Sequence, residues 1–170
     1  MGYAQQEENG AIGARLIYPD QTIQHAGVIM GLGGIAGHAF RTCHYNDPGY
    51  FGALLVNRNC AAVTAACLMV QKSKYLEVGG LEEELSVAFN DVDFCLKLLN
   101  KKYNNVCLNS IELYHHESKT RGAEDTPAKQ ERFKREILYM EKNWNAIIKK
   151  DPYYNENLSL NSDSSYQIKG

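Results

Sequence analysis

The sequence predicts an α/β fold: a partial, mixed sheet flanked by helices, with a hairpin near its start. Three observations predict it. Apolar runs of strand length alternate with stretches whose apolar residues recur at helical spacing. A Pro19-Asp20 turn separates two strand-like runs near the N-terminus, and a long amphipathic stretch with a proline at its start lies near the C-terminus. At 170 residues, 44% hydrophobic and 22% charged, the chain has the size and composition of one globular domain that buries a core.

Composition also excludes function classes. A net charge of −2 supplies no basic field for nucleic acid or anionic lipid. No apolar run approaches the ~20 residues that span a bilayer, and residues 1–10 lack a signal peptide's apolar core. The five cysteines, at positions 43, 60, 67, 95 and 107, form no C-x-x-C pair. They read as inert thiols in a reducing, cytoplasmic setting, at the inner face of a membrane only where partners hold the chain there.

The elements follow in order. Ile12 to Tyr18 and Ile23 to Met30 read as two strands around Pro19-Asp20-Gln21-Thr22, where proline presets φ and aspartate bonds nearby amides. The glycine-rich stretch from Gly31 to His38 reads as a loop, either a substrate-side loop or a connector; it lacks the lysine and hydroxyl residue of a P-loop. Ala61 to Val70 is a continuous apolar run, the pattern of a central strand covered on both faces. Ser73 to Val78 predicts a short helix stopped by Gly79-Gly80. From Asp91 to Lys102, apolar residues at Val92, Cys95, Leu96 and Leu99 make a helical stripe, with Asn90 as N-cap. Val106 to Tyr114 reads as a strand. Thr126-Pro127 opens the last helix, whose apolar face is Phe133, Ile137, Met140, Trp144 and Ile147 or Ile148. The opposite face, with Lys129, Glu131, Arg132, Lys134, Arg135, Glu136 and Glu141, reads as a solvated surface. Residues 1–10 read as a polar leader, 11–157 as the domain, and 158–170 as a fraying polar tail.

Chemistry-bearing residues fall at element ends. Asp91 and Asp93 stand two apart on a helix and so point roughly 200° from each other. One carboxylate suits a cleft and the other solvent or a cap; the plain alternative is that both only complement the helix dipole. His115-His116 ends a strand, so one imidazole at most lines a given site. Imidazole is a ligand for manganese-type or zinc-type ions when carboxylates complete the shell. Lys119 and Arg121, on a short loop ending in Gly122, can pair with a diphosphate or form an exposed basic turn.

Matching phrases run along nearly the whole chain: Tyr18-Pro19-Asp20, Ile23-Gln24-His25-Ala26-Gly27, Asp47-Pro48-Gly49-Tyr50, Val63 to Val70, Val78-Gly79-Gly80-Leu81, Phe89 to Leu96, Tyr114 to Ser118 with Arg121-Gly122, and Asp151 to Asn155. In this order they resemble the carboxy-terminal half of bacterial family 2 inverting glycosyltransferases, of the GT-A fold and rhamnosyltransferase-like. The resemblance implies that Asp91 deprotonates an acceptor hydroxyl and that His115 or His116 helps hold Mg²⁺ or Mn²⁺ or the donor diphosphate. It further implies that Lys119 and Arg121 offset charge on the leaving group, while Thr64, Gly79 and Gly80 frame the acceptor side. The implied partners are a nucleotide-diphosphate sugar and a glycan or lipid-linked acceptor, in polysaccharide synthesis.

Three departures stand out. Asn90 occupies the place where many relatives carry glutamate, Ala65 a place where glycine is common, and no apolar strand ends in D-x-D. The nucleotide-binding βαβ units expected before Ile12 are missing. The expectation is therefore a fragment, an expressed segment beginning at an added Met1-Gly2, with little transferase activity alone and an uncovered face open to homodimer formation. Two other classes compete: a non-catalytic carbohydrate-binding or partner-docking module, and a metal-dependent hydrolase that needs Asp91, Asp93 and the histidines to converge.

Overall fold

The structure, a computed structural model, describes residues 2–116, 126–161 and 166–169. The elements are α1 (Gly2–Gln5), β1 (Asn9–Ile17), β2 (Ile23–His25), β3 (Val28–Met30), β4 (Ala36–His38), β5 (Arg58–Cys60), β6 (Leu68–Met69), α2 (Lys72–Glu77), α3 (Asn90–Asn100), β7 (Asn104–Tyr114) and α4 (Pro127–Lys149), with short 3₁₀ turns at Tyr50–Gly52 and Ala65–Cys67. They form an α/β fold. The main sheet runs β2-β1-β7-β5, with β6 also on β1; β1 and β7 are parallel and the other pairs antiparallel, so the sheet is mixed.

β1 is buried on both faces, at all nine of its positions. Ala11 belongs to the main core with α3, α4 and Cys107, whereas Ile12 packs with Ala4, Val106 and Leu108. Residues 61–70 were expected to fill this central role, but only the first three are buried and only Leu68–Met69 pairs as a strand, on β1. Ala61, Ala62 and Val63 are fully buried, but the chain then turns at Thr64, whose side chain accepts from the Ala66 amide and opens the Ala65–Cys67 turn. Alanine-rich sequence has little strand preference, so local capping wins. The segment lies close against β1: a Cβ at Gly13 would stand 2.7 Å from the Val63 Cβ.

The expected hairpin forms, with Leu16 opposite His25 and Ile17 opposite Ile23. Its second strand breaks at Gly27, which has φ +96°, and Val28–Met30 joins a separate two-stranded sheet with β4. The glycine-rich stretch is thus a tight hairpin, closed by the Gly31 amide donating to the Ile35 carbonyl at 2.7 Å. Gly79 and Gly80, at φ +78° and +69°, stop α2, and the Gly80 amide donates to the Tyr75 carbonyl. α3 buries Val92, Cys95 and Leu96 as its spacing predicts. Its N-cap is Phe89 in the left-handed region, not Asn90; the Asn90 carboxamide donates instead to the Leu85 carbonyl at 2.8 Å.

Both chain ends depart from expectation. Residues 2–10 form α1 and the start of β1, and the Lys74 ammonium donates to the carbonyls of Gln6, Glu7 and Asn9. In the tail, Leu158 is buried and bridges Ile168, while Tyr166 stacks on Phe40 at 4.3 Å. All five cysteines are free, and burial pushes the thiols of Cys60, Cys95 and Cys107 up. Among the described residues no helix is long and apolar enough to cross a membrane.

Asn105, fully buried on β7, joins three elements. Its Oδ1 accepts from the Ala11 amide at 3.1 Å, and its Nδ2 donates to the carbonyls of Ala61 and Cys95 at 2.9 Å each. Asn105→Leu leaves three buried polar groups short of a partner, at about 1–3 kcal/mol each. Urea unfolding should show a loss of at least about 3 kcal/mol relative to wild type.

Candidate functional site

A cleft of about 640 Å³ opens where four segments meet. The β3–β4 hairpin contributes Val28, Ala36, Gly37 and His38; the 3₁₀ turn contributes Thr64, Ala65 and Ala66. The loop entering α3 supplies residues 86–89 with Asn90 and Asp91, and His115 lies at the end of β7. Asp91, His115 and Thr64, singled out in the sequence, therefore share one cleft.

Asp91 owes its place to the first turn of α3. Its Oδ2 accepts from the Ala65 amide and its Oδ1 from the Val92 amide, both at 2.9 Å. Each carboxylate oxygen has two lone pairs, so acceptor capacity remains on both. The hydrogen bond from the Ala65 amide fixes the carboxylate against the 3₁₀ turn that follows Thr64. Asp93 goes elsewhere. It is fully buried, accepts from the Trp144 indole at 2.8 Å and pairs with Lys97 at 2.9 Å. It faces neither solvent nor a cap because Trp144, packed on the main core, needs an acceptor for its N–H. The two aspartates do not converge, which removes the arrangement a hydrolase site would require.

His115 is half-buried, and its Nδ1 is buried without a hydrogen-bond partner. Its amide donates to the Ile17 carbonyl, which anchors it to the end of β1. His116 is exposed and does not line the cleft. Gly79 and Gly80 also lie off the cleft wall, at the helix stop, although Leu81 beyond them lines it. Lys119 and Arg121 lie outside the described residues. Among the described residues no group of three or more histidine, cysteine, aspartate or glutamate side chains could hold a metal ion.

Two features were not read as site residues. Glu136, assigned to the solvated face of α4, is fully buried and accepts from the Val87 and Ala88 amides at 2.9 and 3.2 Å and from the Ser86 hydroxyl at 3.3 Å. It falls three residues after Phe133 and four before Met140, so it sits within the apolar stripe; helical spacing was the available signal. The second is a histidine pair. His25, fully buried, approaches His38 Nδ1 through its own Nδ1 at 2.9 Å, and His38 lines the cleft. The signal there was a histidine inside an apolar strand, followed two residues later by glycine.

Burial, then His38 and Arg58, push the pKa of His25 well below 6.5. The folded protein refuses a proton that the unfolded chain takes up below about 6.5. Stability from this group is therefore present above that pH and is lost as the pH falls, by up to about 1.4 kcal/mol per unit.

No family model matches the chain. It is 51% identical over 158 residues to an uncharacterized protein, y4gI, of Sinorhizobium fredii, an alignment covering 92% of this chain and 17% of that protein. It is 36% identical over 158 residues to the O-antigen biosynthesis protein RfbC of Myxococcus xanthus, covering 92% of this chain and 12% of that protein. The chain thus spans less than a fifth of the length of either relative.

Two expectations follow. Glu136→Ala should lower stability by roughly 2–5 kcal/mol, with hydrogen exchange speeding first at Val87 and Ala88, whose acceptor is lost. Between pH 7.5 and 5.5, wild type should lose about 1 kcal/mol more than His25→Phe, read from urea midpoints.

Proposed function

We propose that this chain is the acceptor-side, base-bearing portion of a GT-A-type inverting glycosyltransferase of family 2, acting in polysaccharide synthesis. One observation carries the reading: a carboxylate from a helix start and an imidazole from a strand end, distant in sequence, line the same cleft. Similarity to a segment of a protein named for O-antigen biosynthesis supports the substrate class.

In the proposed reaction Asp91 accepts the proton of an acceptor hydroxyl. The oxygen attacks the anomeric carbon as the bond to the nucleoside diphosphate breaks, and the diphosphate leaves with the electron pair from the opposite face, so configuration inverts. The Ala65 amide aims the carboxylate, and positioning of this kind serves general-base catalysis. Thr64 and the loop held by Glu136 form the acceptor wall. Lys119 and Arg121 would offset charge on the leaving diphosphate.

The described residues do not compose a shell for Mg²⁺ or Mn²⁺ by themselves. His115, with its unpartnered Nδ1, offers one imidazole, and the donor diphosphate would have to supply oxygen ligands. No step above passes through the ion.

In the longer enzyme that this reading requires, Asp91→Asn should lower sugar transfer by about 10²–10⁴-fold with donor affinity little changed. Transfer that survives this substitution would defeat the assignment. Glycan binding by the 170-residue chain that is indifferent to Asp91→Ala and His115→Ala would favour the non-catalytic carbohydrate-binding reading.

A further inference from the structure

A second hollow, of about 630 Å³, lies at the end of β7 remote from His115 and shares no lining residue with the cleft. Its floor is the sheet face turned away from the main core. Asn59 on β5 stands opposite Val106 on β7, so their side chains share a face, and Asn104, two residues before Val106, shares it too. Val106 is buried there with Ala4, Ile12 and Leu108. α1 and the turn after it make one wall, which spends polar groups to hold itself in place. The Asn9 carboxamide donates to the Tyr3 carbonyl at 3.0 Å and to Gln6 Oε1 at 2.7 Å. Asn57 Nδ2 donates to the Tyr3 hydroxyl at 3.2 Å, while Asn57 Oδ1 accepts from the amide and hydroxyl of Ser110.

The groups left unspent define the ligand. Among the described residues, the side chains of Asn59 and Asn104 have no hydrogen-bond partner, and each carboxamide presents two donors and an acceptor. Apolar Val106 lies between them on the same face. The phenol rings of Tyr3 and Tyr153 line the hollow and keep 40% and 38% of their surface exposed, so both can be reached from solvent. Arg58 is the one cation that lines it among the described residues, and its guanidinium is engaged. Its Nη2 donates to the Ala26 carbonyl at 2.6 Å, and the group lies over the Phe40 ring. Glu8 adds a carboxylate. A phosphate or diphosphate would meet that negative charge with only an engaged cation to offset it.

We propose that this hollow is a subsite for a neutral saccharide, in which Asn59 and Asn104 bond sugar hydroxyls and the Tyr3 and Tyr153 rings cover the sugar's C–H surface. A hydroxyl both donates and accepts, so it pairs with either end of a carboxamide, and an uncharged polyol needs no counter-ion. The mixture of a few fixed polar groups with aromatic surface is what a small polar ligand requires of a pocket of this size. Binding rests on these groups alone. Its use, to hold the part of a glycan acceptor that lies away from the reacting hydroxyl, rests on the transferase reading.

The test is a ¹H–¹⁵N titration of the labelled 170-residue chain, followed through the side-chain amide signals of Asn59 and Asn104. Glucose, galactose, mannose, rhamnose and maltotriose are added separately to about 100 mM, which reaches millimolar binding. Saturable shifts of both carboxamides with at least one of these sugars are expected, and inorganic pyrophosphate should leave both signals in place. No saturable shift from any of the sugars, shifts confined to Ala65 and Asp91 in the cleft, or shifts of these carboxamides by pyrophosphate overturns the proposal. Asn59→Ala and Asn104→Ala should each weaken the bound sugar by roughly three- to tenfold with the backbone amide spectrum otherwise unchanged. Undiminished affinity in both also overturns it, and if one variant does not fold the other decides. Neither carboxamide reports on Asp91. Sugar bound here while transfer by the longer enzyme survives Asp91→Asn would therefore keep the subsite and remove the transferase reading. Transfer lost in Asp91→Asn with no sugar bound here would do the reverse.

Discussion

The carboxamide of Asn105 is the constraint on which the remaining geometry depends. One side chain with one acceptor and one two-proton donor satisfies the Ala11 amide on β1, the Ala61 carbonyl at the end of β5 and the Cys95 carbonyl in α3. Those three segments cannot shift independently without leaving a buried polar group unpaired. Their relation sets where Asp91 and Ala65 meet, because Asp91 stands one helical turn before Cys95 and Ala65 four residues after Ala61. The approach of the Val63 side chain to Gly13 serves the same end by steric means, since any side chain at position 13 would push the 61–64 segment off the sheet.

The cleft is then finished by polar groups drawn from inside the protein. Its walls are loops, and loops need partners for their backbone amides. Glu136 receives two amides of the loop before α3, Asp91 receives the amide of Ala65, and His25 receives those of Gly27 and Thr64. Asp151 does the same for Met30 at the base of the β3–β4 hairpin, accepting its amide at 2.7 Å, and burial pushes that carboxyl up. Each acceptor comes from a different element, so loop geometry is held by the core and not by the loops themselves. That arrangement suits a site that must keep one carboxylate aimed while the ligand exchanges.

Much of this was legible in the sequence where one interaction dominates. α3 and α4 follow from apolar spacing, the β1–β2 hairpin from its proline-aspartate turn, and the α2 stop from paired glycines. The misreadings share a cause. Glu136 and Asp93 were judged by polarity and His25 was not singled out, yet each is buried with a specific partner: loop amides, the Trp144 indole and Lys97, or two backbone N–H groups with a second imidazole. Such partners are distant in the chain and leave no local pattern. The run from Ala61 to Val70 failed as a strand for a related reason. Its hydrophobicity reported burial only over Ala61 to Val63, and beyond them the Thr64 cap and the bond from the Ala65 amide to Asp91 go with a turn whose Ala65 and Ala66 are exposed.

The arrival of His115 at the cleft depends on a register change that no spacing rule reveals. β7 runs parallel to β1 in step from Ile12 opposite Val106 to Ala14 opposite Leu108, then skips residues 109–111 so that Arg15 pairs with Glu112. A slip by an odd number of residues exchanges the two faces of a strand. The excluded Asn109 is not wasted, since its side chain donates to the carbonyls of Ala53 and Val56 at 2.9 Å and pins the bulge. Beyond it, burial gives way to exposure along the second half of β7, and Arg15 pairs with Glu112 to hold the resumed ladder. Without the slip, the residue opposite Ile17 would be Ile111 and the imidazoles would overshoot the sheet by three positions. With it, Tyr114 meets Ile17, and His115 follows onto the cleft wall, its amide tied to the Ile17 carbonyl. The bulge thus converts a strand end into a site residue, in keeping with the use of bulges to re-aim side chains.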